Sequence, residues 1–230
     1  MNLTKCLELT IMAKEDVRHL FQLEELLKQY IAEQIAQTKG GAKGKQRFKS
    51  AQQYIKEAIK EYPNRLQLNG SWIYNGKQYI TNTFSGIELI SIIEGLPEIS
   101  KDVEPYKLYE IIDSAERNTH TNLKVEIPSL IDLKTQLKIA KAEMKARKVE
   151  EFQKVRSGLV KINNYFFNVK LLVDIIKLFP TEDLEYYVGN TKYSPIFVRD
   201  DIGNRAVVLP IRLIEEEYSS MVWEGGINNG

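Results

Sequence analysis

The sequence predicts an α+β fold, and three observations carry the prediction. Apolar residues recur at helical spacing over 15–36 and again over 129–151, with charged residues between them. Asn75 and Gly76 form a two-residue turn signal between strand-rich segments. Three short runs, 184–188, 196–199 and 206–211, carry β-branched and aromatic residues after the helix-breaking Pro180.

In chain order, Val17, Leu20, Leu23, Leu27, Tyr30 and Ile31 give the first segment one apolar face, as an amphipathic helix requires. Three glycines and the basic residues Lys39, Lys43, Lys45, Arg47 and Lys49 crowd 38–50. Glycine's backbone freedom ends the helix there, and the stretch reads as a linker. A second helix over 50–61 buries Tyr54, Ile55, Ala58 and Ile59 and stops before Pro63. The hairpin draws its strands from 66–74 and 77–83. The apolar run 87–93 suits either a helix or a strand, and 105–115 reads as a short helix.

A polar loop at 118–122 and the residues 125–128, ending in Pro128, lead into the long helix at 129–151. Residues 159–162 read as a strand and 167–179 as a helix closed by Pro180. The three short strands follow, with Asp200, Asp201 and Gly203 turning between the last two. The end of the chain is acidic and then rich in Gly and Asn, a loose tail. The expected organisation is an N-terminal helix and basic linker at 1–46, a body at 47–213 and a tail at 214–230.

Composition narrows the function classes. With 230 residues, 43% of them apolar, the chain can build a core. Its net charge of +1 supplies no global basic field, so a contact with nucleic acid has to come from a local cluster. Cys6 is the one cysteine and His19 and His120 the two histidines, too few for an intrachain disulfide or a four-ligand zinc site. Glu8 interrupts what would be the apolar stretch of a signal peptide, and no uncharged run is long enough to span a membrane. A cytoplasmic protein without cofactor or metal is expected.

The most distinctive constellation lies in the long helix. Lys134, Lys138, Lys141, Lys145 and Lys148 are spaced 4, 3, 4 and 3 apart, which confines them to a sector of roughly 80°. Their row is roughly 21 Å long, enough to follow a nucleic-acid backbone that carries one charge per about 1.7 Å of duplex axis. A lysine row is also what a solvated helix face looks like; its single sign, in a chain of nearly balanced charge, favours a polyanion. Lys43, Lys45, Arg47 and Lys49 form a second basic group. It is not a phosphate-binding P-loop: the glycines are one residue too close, and Gln46 stands where a hydroxyl would hold magnesium.

Neither histidine has a cysteine near it in sequence, and no nucleophile, base and orienter set stands out. Tyr186, Tyr187 and Tyr193 suit either base stacking or a sheet surface.

Residues 164–179, the strand runs 184–189 and 194–198, and Val207-Val-Leu-Pro-Ile-Arg-Leu213 resemble the end of a bacterial DNA polymerase sliding clamp. In that family a helix of the type Tyr-Leu-x-Asp-Val-Leu precedes three strands and a terminal Leu/Met-Pro-x-Arg-Leu. The segment 54–89 is similar to the first half of such a domain. It has a Lys-Glu-Ala-Ile helix, a strand into Leu68-Asn-Gly70, the hairpin, and then Thr81-Asn-Thr-Phe-Ser-Gly86. Asn82 and Ser85 stand where clamps commonly carry an acid and an arginine.

The resemblance implies two βαβββ-type halves with helices toward DNA, behind an N-terminal helical extension. It also implies a homo-oligomer, since one clamp-like domain makes a ring only in several copies. Clamps are not enzymes; they hold DNA without reading sequence and dock DNA polymerase in a pocket to which Pro210, Ile211, Arg212 and Leu213 would contribute. The small size and N-terminal extension suit a phage or mobile-element version. The expected function is a DNA-replication accessory protein. The alternative is an inhibitor or anti-defence protein that turns its basic face on a host nucleic-acid enzyme.

Overall fold

The computed structural model describes residues 42–147, 158–163, 165–191 and 193–211, and over them the protein is α+β. The helix expected at 15–36 and the tail at 214–230 lie outside the described residues, as do Lys39, Lys148, Arg212 and Leu213.

Helix α1 (Ala42–Glu61) corrects the linker reading, because it starts eight residues before position 50, within the glycine-rich stretch. Ala51, Tyr54, Ile55 and Ala58 are buried beneath it. Tertiary packing of this apolar stripe outweighs the propensity cost of Gly44 in the first turns. After Pro63 a 3-10 turn (Leu66–Leu68) buries Leu68, so the strand expected over 66–74 shrinks to β1 (Trp72–Tyr74). Asn75 and Gly76, at φ 50° and 76°, turn the chain into β2 (Lys77–Thr81), and β3 (Ser85–Leu89) takes the first three residues of the ambiguous run as strand, leaving 90–93 irregular.

Helix α2 (Leu108–Arg117) and the edge strand β4 (Leu123–Val125) come next. Helix α3 (Leu130–Arg147) is started by Ser129, whose Oγ accepts from the Asp132 amide (3.2 Å) and donates to Asp132 Oδ2 (2.6 Å). Strands β5 (Leu159–Ile162) and β6 (Tyr165–Asn168) form a hairpin. The helix expected from 167 is thereby corrected to α4 (Val169–Ile176), because Asn168 Oδ1 caps it by accepting from the Lys170 amide at 2.8 Å. The meander β7 (Leu184–Val188), β8 (Ile196–Asp200) and β9 (Arg205–Val208) ends the described chain, turned by Asp200, whose Oδ1 accepts from the amides of Ile202, Gly203 and Asn204.

Seven strands form one antiparallel sheet in the order β1-β2-β3-β9-β8-β7-β4. Two three-stranded meanders, each preceded by a helix (α1 or α4), meet at its centre, where Ser85 pairs with Val208 and Glu88 with Arg205. Side chains alternate across a pleated sheet. Ile80, Ile87, Leu89, Val198, Ala206 and Val208 therefore point to one face, where buried residues of α1, α3, α4 and the β5–β6 hairpin cover them. Tyr79, Phe197 and Val207 point to the other, where α2 packs with Leu108 and Ile112. Gly86 permits that contact: a Cβ there would lie 2.7 Å from Leu108 Cδ2.

On the α2 face Glu88, fully buried, receives Arg205 Nε and Nη2 at 2.8 Å each, Tyr79 Oη at 2.6 Å and Lys77 Nζ at 3.0 Å. Arg205 continues to Asp113 Oδ1 (2.9 Å) and Glu116 on α2. No helix of the described residues is long and apolar enough to cross a membrane.

A candidate nucleic-acid interface

The helical layer on the first face holds most of the basic residues singled out in the sequence. In α3, Leu133 is buried and packs toward α4, while Lys138, Lys141 and Lys145 are exposed and Lys134 is half-buried. The lysine row therefore flanks the packed side of α3. Ile131 and Ile139, 76% and 45% exposed, lie beyond it, so the helix is apolar on two sides with the lysines between.

A second row appears on α1. Lys45, Lys49, Lys56 and Lys60 are all exposed and fall within a sector of about 60° over a length of about 22 Å. Gln52 and Gln53 fill the positions between them. Reading 38–50 as a linker conceals this row, because two of the four lysines are then assigned to a loop and two to a short helix. The signal that recovers it is the 4, 7 and 4 spacing, which becomes a stripe only when one helix runs through Gly44. Among the described residues no carboxylate lies within ion-pair distance of these four lysines or of Lys134, Lys138, Lys141 and Lys145.

Not every predicted basic residue joins the surface. Arg47 is half-buried; its Nε donates to the Leu178 carbonyl (2.6 Å) and its Nη2 to that of Ser91 (3.3 Å). Burial lowers its pKa to about 10, against the opposing charge of Asp200. Arg47 thereby ties α1 to the end of α4, a structural use of a guanidinium fork. Lys43 lies in the first turn of α1.

Helix α4 touches both lysine-bearing helices, packing on α3 and reaching α1 through Lys170, which pairs with Glu57 and with Asp174. Burial pushes the Glu57 carboxyl up, but hydrogen bonds from Gln53 and Lys170 and the charges of Lys170 and Lys141 outweigh it and leave the pKa lowered. Asp174 stays raised by burial despite Lys170. The Lys177 ammonium is pushed down by burial and by Lys134, Lys170 and Lys141, with Asp174 opposing. Burial pulls the Lys170 ammonium down, but Asp174 and Glu57 outweigh it and leave the pKa raised, so carboxylates already answer part of the lysine charge at this point.

Compared with family models, with curated proteins and with solved structures, the chain finds no match in any of the three. The chemistry of the surface itself therefore carries the functional argument.

The three helices of this layer contain twelve basic residues and five acidic ones, a net of +7 in a chain whose total is +1. Helix α2, on the opposite face, has three acids and one arginine. Among the described residues the helices on the two faces of the sheet thus differ in charge.

The remaining candidates are placed as follows. Pro210 and Ile211 continue from β9, and the Ile211 amide donates to the Phe166 carbonyl at 2.7 Å, against β6. Tyr186 packs against the core, Tyr187 stacks beneath Arg199 (5.2 Å from Cζ to the ring centre), and Tyr193 is exposed. Among the described residues no group of three or more metal-ligating side chains comes together.

Proposed function

We propose that the protein is a non-enzymatic, clamp-like DNA-replication accessory protein that seats duplex DNA on the lysine rows of α1 and α3. The observation that carries this reading is the pair of rows: two helices, distant in sequence and adjoining the same helix α4, each present exposed lysines on one face of the sheet. A single row is easily a solvated face; two on one layer with a net of +7 make a field that attracts a polyanion. The clamp-like part of the proposal is supported by chain order, since a helix followed by a three-stranded meander occurs twice and the meanders meet at their last strands. Contacts of lysine with phosphate carry no base information, so binding is independent of sequence. Partner proteins would dock near Pro210 and Ile211, and several copies would assemble through the edge strands β1 and β4.

The test is equilibrium binding to duplex DNA of arbitrary sequence across a salt series. Glutamate at Lys49, Lys56 and Lys60, or at Lys138, Lys141 and Lys145, should each weaken binding and flatten the slope of log K against log salt by about 0.9 for every phosphate no longer neutralised. No salt-sensitive affinity in the wild-type protein would overturn the reading.

A further inference from the structure

Where α1 ends, the chain builds a feature that phosphate contacts do not use. Thr83, a β-branched residue, sits at φ 77°, in the left-handed region that such side chains avoid. Its Oγ1 is buried without a hydrogen-bond partner. The loop around it is nonetheless tightly held. Asn82 Oδ1 accepts from the amides of Phe84 (3.0 Å) and Ser85 (2.8 Å), and the Thr83 amide donates to Thr81 Oγ1 (3.1 Å). The Leu209 amide closes the other side by donating to the Phe84 carbonyl at 2.8 Å. What this strained turn presents is the Phe84 ring, 41% exposed.

Phe84 does not stand alone. The Tyr62 ring lies 6.2 Å away at 45°, and Arg65 Cζ is 5.1 Å from the centre of that ring. Three flat groups thus form a ladder of phenyl, phenol and guanidinium at the surface. Tyr62 and Arg65 follow directly on α1, whose last exposed lysine, Lys60, comes two residues before Tyr62. Backbone strain of this kind persists when its surroundings over-determine it, and it is evidence from which a functional role can be argued. An acidic peptide would engage Arg65 and leave the rings idle, and an aliphatic one would leave the guanidinium idle. A nucleobase offers a π-face that suits rings and guanidinium alike.

We propose that Phe84, Tyr62 and Arg65 are a stacking site for an unpaired nucleobase at the end of the α1 lysine row. The inference rests on the backbone-binding reading and adds to it a preference for DNA with a single-stranded end. Its test compares a blunt duplex with the same duplex carrying a thymidine overhang. The wild-type protein should bind the overhang more tightly. Phe84→Ala should weaken that complex about tenfold and leave the blunt duplex unchanged. Phe84→Trp should keep the preference, with indole emission quenched by the overhang only. Thr83→Gly, which removes the strain, should lose the preference without lowering thermal stability. Equal affinity of the wild type for the two duplexes, or a preference that survives Phe84→Ala, overturns the stacking site and leaves the backbone reading standing. Absence of salt-sensitive binding to either duplex overturns both.

Discussion

Arg205 joins the sheet to α2 through one guanidinium that serves Glu88, Asp113 and Glu116. Its side chain is 12% exposed and that of Glu88 1%, so neither charge is adequately hydrated without the other. Burial pulls the Arg205 pKa down, but the charges of Glu88 and then Glu116 outweigh it and leave the pKa raised. Removing Arg205 leaves Glu88 with Lys77 alone as counter-charge, and an under-compensated buried carboxylate costs more than the pair itself contributes. Arg205→Met should therefore destabilise the fold by about 3–5 kcal/mol, read as a lowered denaturant midpoint in urea. Adding Glu88→Met should restore much of the loss; a double variant no better than the single would reject this account. None of this was legible in the sequence, where Glu88 and Arg205 stand more than a hundred positions apart and look like ordinary strand-surface charges.

At the scale of elements, legibility followed local chemistry. The hairpin at Asn75 and Gly76 was readable because a type I′ turn demands positive φ at both positions, and those residues supply it. The lysine row of α3 was readable because the helix announces itself through Pro128 and Ser129. The row of α1 was not, because Gly44 signals a break that burial of Tyr54 and Ile55 overrides. The start of α4 failed for a related reason: the apolar run from Tyr165 has no internal period to divide strand from helix, and only the cap at Asn168 marks the boundary. That cap gives a direct check. Asn168→Ala should cost about 1 kcal/mol, measured by chemical denaturation, whereas a helix running through 167 would hardly register the change.

Among the described residues the helices are sorted by charge across the sheet, with the basic ones on one side and α2, rich in acids, on the other. The clamp-like resemblance expected helices toward DNA, and the lysine rows of α1 and α3 support that orientation of the proposed complex. The sequence predicts a short helix near α2 but not that it covers the opposite face of the sheet. Its placement depends on Gly86 and Arg205, two positions with no helical signal of their own.

The seam between β3 and β9 sets how the chain must be made. Ser85 leaves the ribosome long before Val208, its partner, and the first meander waits meanwhile with its innermost strand bare. Closing so long a loop is entropically expensive and puts non-local pairing late in folding. A fragment carrying only residues 42–127 should remain unfolded by circular dichroism and aggregate through that edge; a cooperative unfolding transition in the fragment would contradict this. In the growing chain, synthesis of the second meander is what finishes the first.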